Sequence, residues 1–149
     1  MTTMQSSDGL ALRIENKPGR THDAAGTWRE PVRSRLAELV RLPVGWDGYT
    51  GVPVKAENAR FAMDLLSVTC PDAMPAPEIV PGPGGDLQVE WHNETVDIEL
   101  HVRGPNDVSA WRAREGKEEE LRLTDDFAVV SLWLRHFASA EGEIAAAAE

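Results

Sequence analysis

The segment LPVGWDGYTGVP, residues 42–53, organises the chain, because it joins two segments whose apolar residues recur at helical spacing. Its glycines allow backbone conformations with positive φ, and Asp47-Gly48 is a strong turn signal. The side chains of Trp46 and Tyr49 are too apolar to face water without a reason. We therefore expect a fixed joint that sets two helices on the rest of the fold, rather than a flexible tether.

A helical repeat lies on each side of this segment. Upstream, the repeat predicts a helix over about residues 28–41, for which Thr27 and Glu30 form a capping box. Downstream, Pro53 opens a second helix over about residues 54–69. The apolar residues of the second helix fall on one stripe, which predicts that these side chains are buried: Phe61, Ala62, Leu65, Leu66 and Val68.

From Glu78 onward the period changes, since apolar residues alternate with polar ones as they do in β-strands. A two-residue turn at Asn93-Glu94 pairs Trp91 with Val96 and puts the apolar side chains of both strands on one face. A short edge strand at Glu78 precedes this hairpin. The pattern predicts an antiparallel meander of four to five strands with one apolar face.

Two registers are open for the following hairpin. One sets Arg112 opposite Ile98 and places a charged group on the core face. The other sets Leu100 opposite Trp111, and we prefer it because it keeps the charge out of the core. The last hairpin then matches Trp111 with Leu123.

A final helix follows the strands, with Thr124 as its predicted cap. Val129 and Leu132 lie outside its main apolar stripe. A helix with so wide an apolar surface is either covered on two sides or exposes part of itself to a partner. Its main stripe consists of Phe127, Val130, Trp133, Leu134 and Phe137.

These elements predict an α+β fold with two N-terminal helices, a meander sheet and a C-terminal helix, the helices packed on one face of the sheet. We expect one domain over residues 27–138. Residues 1–26 have the composition of a disordered tail, and residues 139–149 form a small-residue C-terminal tail, expected to be flexible and helical at most.

Charged side chains gather on the polar face of the predicted sheet. The expected register places Glu90 directly opposite Asp97, beside His92 and Glu99. Opposed carboxylates destabilise a sheet, and such a cluster could hold a divalent metal or supply an acid–base pair.

The same register offers a simpler explanation for the acidic strand. It sets Asp97 opposite Arg114 and Glu99 opposite Arg112, so that the following strand neutralises the carboxylates. We therefore favour a solvated outer face over a metal or catalytic site.

The overall charge limits the class of partner. The 15 basic residues against 25 acidic ones give a formal charge of −10, which argues against binding to a nucleic-acid backbone. Cys70 is the only cysteine, so no internal disulfide is possible and a reducing compartment is expected. No apolar run reaches membrane-spanning length, and we expect a cytoplasmic protein with no membrane partner.

The LPVGWDGY motif, taken with a following helix and a strand that ends Glu90-Trp91, resembles a group of small prokaryotic proteins of unsettled activity that carry an LPxGWDGYG loop. The similarity covers about residues 40–123, and this chain departs from the pattern at Thr50 and Gly51. The resemblance implies a prokaryotic or phage origin and transfers no site residue.

No motif of a nucleophilic, metal-dependent or cofactor-dependent enzyme is present, and no cofactor is expected. Our first hypothesis is a small non-enzymatic interaction protein, such as an inhibitor of the antitoxin, immunity or anti-defence kind, that occludes a protein partner or a second copy of itself. The alternatives are a metal-dependent or hydrolytic enzyme that uses Glu90, His92, Asp97 and Glu99, and nucleic-acid binding through the arginines of the first helix. The candidate partner-binding residues are Trp46, Asp47, Tyr49, Val129, Leu132, Glu90 and Asp97.

Overall fold

A computed structural model describes the backbone of residues 28–147 and the side chains of residues 28–142. The predicted tail of residues 1–26 and the capping residue Thr27 lie outside the described residues. The helices and strands are, in chain order, α1 (Arg29–Leu39), α2 (Ala56–Thr69), β1 (Glu78–Pro81), β2 (Leu87–His92), β3 (Val96–Gly104), β4 (Asp107–Arg114), β5 (Lys117–Leu123) and α3 (Ala128–Ala147).

The predicted α+β fold is confirmed. The strands form one antiparallel sheet in the order β1-β2-β3-β4-β5, so each strand pairs with its neighbour in sequence. The helices cover the apolar face of this sheet, and α2 contacts β3 as well as both other helices. Their side chains and those of the inner sheet face share one continuous core.

The first two helices begin and end close to the predicted positions. Trp28 is fully buried and its indole N–H donates to the carbonyl of Pro71 at 3.1 Å, which ties the start of α1 to the end of α2. The buried stripe of α2 differs from the prediction at two residues, since Phe61 is half-buried against the core and Val68 is 69% exposed. The helix turns by about 100° per residue, so Val68 lies about 160° around the helix from the fully buried Leu66.

The register of the β2–β3 hairpin differs from the predicted one by two residues. Trp91 lies opposite Ile98 rather than Val96. The side-chain oxygen of Asn93 accepts hydrogen bonds from the amides of Thr95 and Val96, at 2.9 and 2.8 Å, and the amide of Asn93 donates to the carbonyl of Val96 at 3.0 Å. The turn therefore lies at Glu94-Thr95, one residue further along the chain than predicted. A shift of two residues keeps every side chain on its predicted face.

The β3–β4 hairpin takes the other of the two registers, not the preferred one. Arg112 lies opposite Ile98, on the core side of the sheet, where it is 6% exposed. An irregularity between Val102 and Gly104 shifts the pairing by one residue and produces this arrangement. The prediction was wrong because it assumed that a charged side chain could not be accommodated there.

The β4–β5 pairing also differs from the prediction. Leu123 lies opposite Val108, and Trp111 lies opposite Glu120 on the outer face of the sheet. The turn consists of Glu115 and Gly116 alone, with φ of +53° and +75°, a two-residue geometry that suits the twist of antiparallel strands.

The last helix starts later than predicted. Thr124 does not cap it; the carboxylate of Asp126 accepts a hydrogen bond from the amide of Ala128 at 3.0 Å. Phe127 is half-buried against the core, and the rest of the predicted stripe is buried. Helix α3 continues to Ala147, through most of the small-residue segment 139–149.

Candidate functional site

The loop between α1 and α2, residues 42–53, is held in shape by its own hydrogen bonds. The amide of Gly45 donates to the carbonyl of Gly51 at 2.7 Å, and the amide of Gly48 donates to the carbonyl of Gly45 at 2.9 Å. Gly45 and Gly48 have φ of +86° and +87°, as their residue type predicts. These bonds close the loop on itself.

Asp47 organises the tip of this loop. One of its carboxylate oxygens accepts hydrogen bonds from the amides of Tyr49 and Gly51, at 3.0 and 2.9 Å. These two bonds lower the pKa of Asp47 below the ordinary aspartate value, because they stabilise the ionised form. Gly51 does not need positive φ; a Cβ there would come within 2.8 Å of the Asp47 carboxylate, so glycine is required for space.

The two aromatic residues of the loop have different environments. Trp46 is half-buried and its indole N–H donates to the carbonyl of Val52 at 2.8 Å, which makes it a brace within the loop. Tyr49 is 84% exposed, and Val44 on the same loop is 74% exposed. The sequence predicted one role for both aromatic residues. In the structure Trp46 stabilises the loop, whereas Tyr49 is exposed to solvent.

The loop is also fixed to the body of the protein. The amide of Val52 donates to the carbonyl of Pro83 at 3.0 Å, and Val52 pairs with Gly84 as an isolated parallel bridge. The amide of Val54 donates to the carbonyl of Leu39, the last residue of α1, at 3.1 Å. The loop therefore links the end of α1 to the turn between β1 and β2.

The outer face of the sheet carries the predicted acidic cluster, with different partners. Glu90 lies opposite Glu99 rather than Asp97, and Glu99 lies opposite Trp111 rather than Arg112. The side-chain amide of Gln88 donates to both glutamates, at 2.7 Å and 3.4 Å. The cluster thus contains two directly opposed carboxylates.

His92 lies at one side of these carboxylates. Its Nδ1 is 2.7 Å from Asp97 and its Nε2 is 3.1 Å from Glu90. The hydrogen bonds to Asp97 and Glu90 raise the pKa of His92, because they favour the imidazolium. Partial burial and the nearby charge of Glu90 raise the pKa of Glu99.

The neutralisation predicted for this face does not occur. Asp97 lies opposite Ala113, since the one-residue shift between β3 and β4 turns Arg112 and Arg114 to the opposite side. Arg112 instead binds the carboxylate of Glu119 and stacks on the ring of Trp133, at 4.7 Å from its centroid.

A second polar network on the outer face was missed by sequence reasoning. Nε2 of His101 lies 2.6 Å from the carboxylate of Asp86, and Nδ1 accepts a hydrogen bond from Arg103 at 3.0 Å. Arg103 also donates to the hydroxyl of Ser109. The guanidinium of Arg103 thus bridges His101 and Ser109, so the imidazole is not placed to activate the hydroxyl as a nucleophile. Asp86 directly precedes β2 and was not among the predicted site residues, although the predicted register would place it opposite His101.

The remaining candidates lie on α3. Val129 is half-buried against the core, and Leu132 is 42% exposed. The partner-binding residues proposed from sequence are therefore distributed over three separate regions: the loop, the outer face of β2 and β3, and α3. The thiol of Cys70 is buried, and this burial raises its pKa to about 12, so it is not a reactive nucleophile.

Searches against family models, curated proteins and solved structures found no match to this chain. Within residues 28–147, no helix is both long enough and apolar enough to cross a bilayer.

Proposed function

We propose that this protein acts by binding another protein through the loop of residues 42–53, as a small inhibitor that occludes its partner. The observation that carries the proposal is the 84% exposure of Tyr49 on a loop whose backbone is fixed by internal hydrogen bonds. An inhibitor of the antitoxin, immunity or anti-defence kind fits this description, and a second copy of the chain is the alternative partner.

The rigidity of the loop favours binding. A flexible segment loses conformational entropy when it is ordered at an interface, whereas a preorganised one avoids most of that cost. Tyrosine supplies a large contact area with few rotatable bonds and is enriched among the residues that dominate interface energetics. Tyr49 is thus the expected contact residue. Val44 is also exposed on the same loop, and Trp46 and Asp47 stabilise the shape of the loop.

The charge distribution supports a protein partner over a nucleic acid. The net charge is −10, and the arginines of α1 are engaged locally. Arg29 pairs with Asp72 and Arg35 pairs with Glu38, both at 3.0 Å. We place the interaction in the cytoplasm, because a single buried cysteine suits a reducing compartment.

The proposal is tested by capture from a lysate of the source organism on immobilised protein, with Tyr49→Ala as the variant. We expect wild-type protein to retain a partner in near-stoichiometric amount and Tyr49→Ala to bind it at least about 30-fold more weakly, as for a hot-spot residue. Light scattering of the purified wild type and of Tyr49→Ala tests whether the protein associates with itself through this loop.

Val68→Ala is the matched control, since it removes an exposed apolar side chain from α2, away from the loop. This variant should bind as the wild type does. Equal recovery of the partner by Tyr49→Ala would overturn the proposal. So would a wild-type protein that is monomeric and retains no partner.

A further inference from the structure

The outer face of β2 and β3 brings three metal-ligating side chains together. Glu90 and His92 are two residues apart on β2, and Glu99 lies directly opposite Glu90 on β3. One ligand atom from each residue lies within 4.8 Å of the others. All three side chains leave paired strands, which restrict their positions more than a loop would.

The charges of this group are poorly compensated. Among the described side chains, no lysine or arginine forms an ion pair with Glu90 or Glu99. The one side chain that donates to both carboxylates is the neutral amide of Gln88. Like charges directly opposite each other destabilise a sheet, so a bound cation would remove an unfavourable interaction.

The imidazole of His92 is oriented as in metal sites. Its Nδ1 lies 2.7 Å from the carboxylate of Asp97, and its Nε2 points to Glu90. Histidine ligands of metals commonly donate their second ring nitrogen to a carboxylate, which fixes the tautomer and the ring orientation. In this arrangement Asp97 is the orienting residue, and an ion would take the place of the proton on Nε2.

We propose that Glu90, His92 and Glu99 bind a first-row divalent cation such as Zn²⁺, with Asp97 positioning the imidazole. Two carboxylate oxygens and one imidazole nitrogen are ligands that zinc accepts, and three protein ligands leave a coordination position open. The site lies on the face of the sheet opposite the helices, so this position faces solvent. The site does not depend on the loop of residues 42–53 or on the function proposed for it.

The test is a calorimetric titration of the full chain with Zn²⁺ for the wild type, Glu99→Gln and His92→Gln. Glu120→Gln is the matched control, because it removes the same charge from the same face of the sheet. Glu120 lies opposite Trp111, and Trp111 in turn lies opposite Glu99, so Glu120 is two strands away from Glu99. We expect the wild type and Glu120→Gln to bind one ion with equal affinity, and each ligand variant to bind at least about 10-fold more weakly. Absence of binding by the wild type, or equal binding by all four proteins, would overturn the proposal.

A second measurement uses the wild type alone and does not depend on the folding of variants. We expect Zn²⁺ to shift the backbone amide resonances of residues 88–101 in two-dimensional NMR spectra. Shifts confined to other parts of the chain would place the ion elsewhere and would overturn the assignment. Thermal unfolding without metal distinguishes a loss of metal binding from a loss of folding stability. We expect Glu99→Gln to be at least as stable as the wild type under these conditions, because the substitution relieves the repulsion from Glu90.

Discussion

Asp47 stabilises the folded state through its charge as well as through its geometry. Its pKa in the folded protein is below the ordinary value of 3.8, because the amides of Tyr49 and Gly51 donate to the carboxylate. A lowered pKa means that the ionised carboxylate contributes stability above pH 4 or so, and that this contribution is lost as the pH falls through the folded value.

We therefore expect Asp47→Asn, which keeps an acceptor oxygen but removes the charge, to be less stable than the wild type at pH 7. The difference should shrink as the pH falls below about 4, because the wild-type carboxylate becomes protonated. Urea unfolding at a series of pH values from 7 downward measures this difference. Asp125→Asn removes an exposed carboxylate elsewhere and controls for net charge; a difference for Asp47→Asn that is independent of pH would contradict the assignment.

Arg112 is a charged residue that the core accommodates because its partners are in place. The guanidinium is buried between the ring of Trp133 and the carboxylate of Glu119, which is itself half-exposed. Loss of the carboxylate would leave a buried cation without a partner, whereas loss of the cation would leave an anion that water can reach.

We expect Glu119→Ala to lower the free energy of unfolding by about 1–3 kcal/mol, and Arg112→Met to cost less, because methionine keeps the packing against Trp133. Urea denaturation measures both without screening the charges. Glu120→Ala, on the opposite face, should be close to neutral. A larger loss for Arg112→Met than for Glu119→Ala would show that the ion pair itself, rather than burial of an unpaired charge, controls stability.

Among the elements, the β4–β5 hairpin contains a residue in an unfavourable conformation. Glu115 has φ of +53°, a region that asparagine and glycine tolerate better than other residues. We expect Glu115→Asn to raise the free energy of unfolding by roughly 0.5–1 kcal/mol, measured by urea denaturation. Glu94→Asn is the control: it lies in the β2–β3 turn, where φ is not positive, so it should bring no comparable gain.

At the same scale, strand positions were predictable and strand pairing was not. Alternation of apolar and polar residues marks the strands and their buried faces because it depends on neighbouring residues only. The pairing depends on turn geometry, and the turns contain local features that alternation does not encode. The side chain of Asn93 binds the amides of one turn, an irregularity between Val102 and Gly104 shifts the second pairing, and positive φ at Glu115 and Gly116 allows the last turn to contain only two residues.

For the molecule as a whole, the α+β architecture followed from the sequence because amphipathic helices must cover the apolar face of a meander sheet. The outer-face sites did not follow, since they depend on which residues lie opposite each other. Glu90 was predicted to face Asp97 and in fact faces Glu99; the carboxylates expected to be neutralised by Arg112 and Arg114 therefore lack those partners. An error of one or two residues in register changes the chemistry of a surface without changing the fold.

The meander also affects the order in which the chain can fold during synthesis. Every strand pairs with the next one along the chain, so each hairpin can close soon after it leaves the ribosome. Helix α1 emerges first, yet the carbonyl that binds the indole of Trp28 lies 43 residues further on, in Pro71. A nascent chain halted before that point would leave the large apolar ring of Trp28 without its final partner.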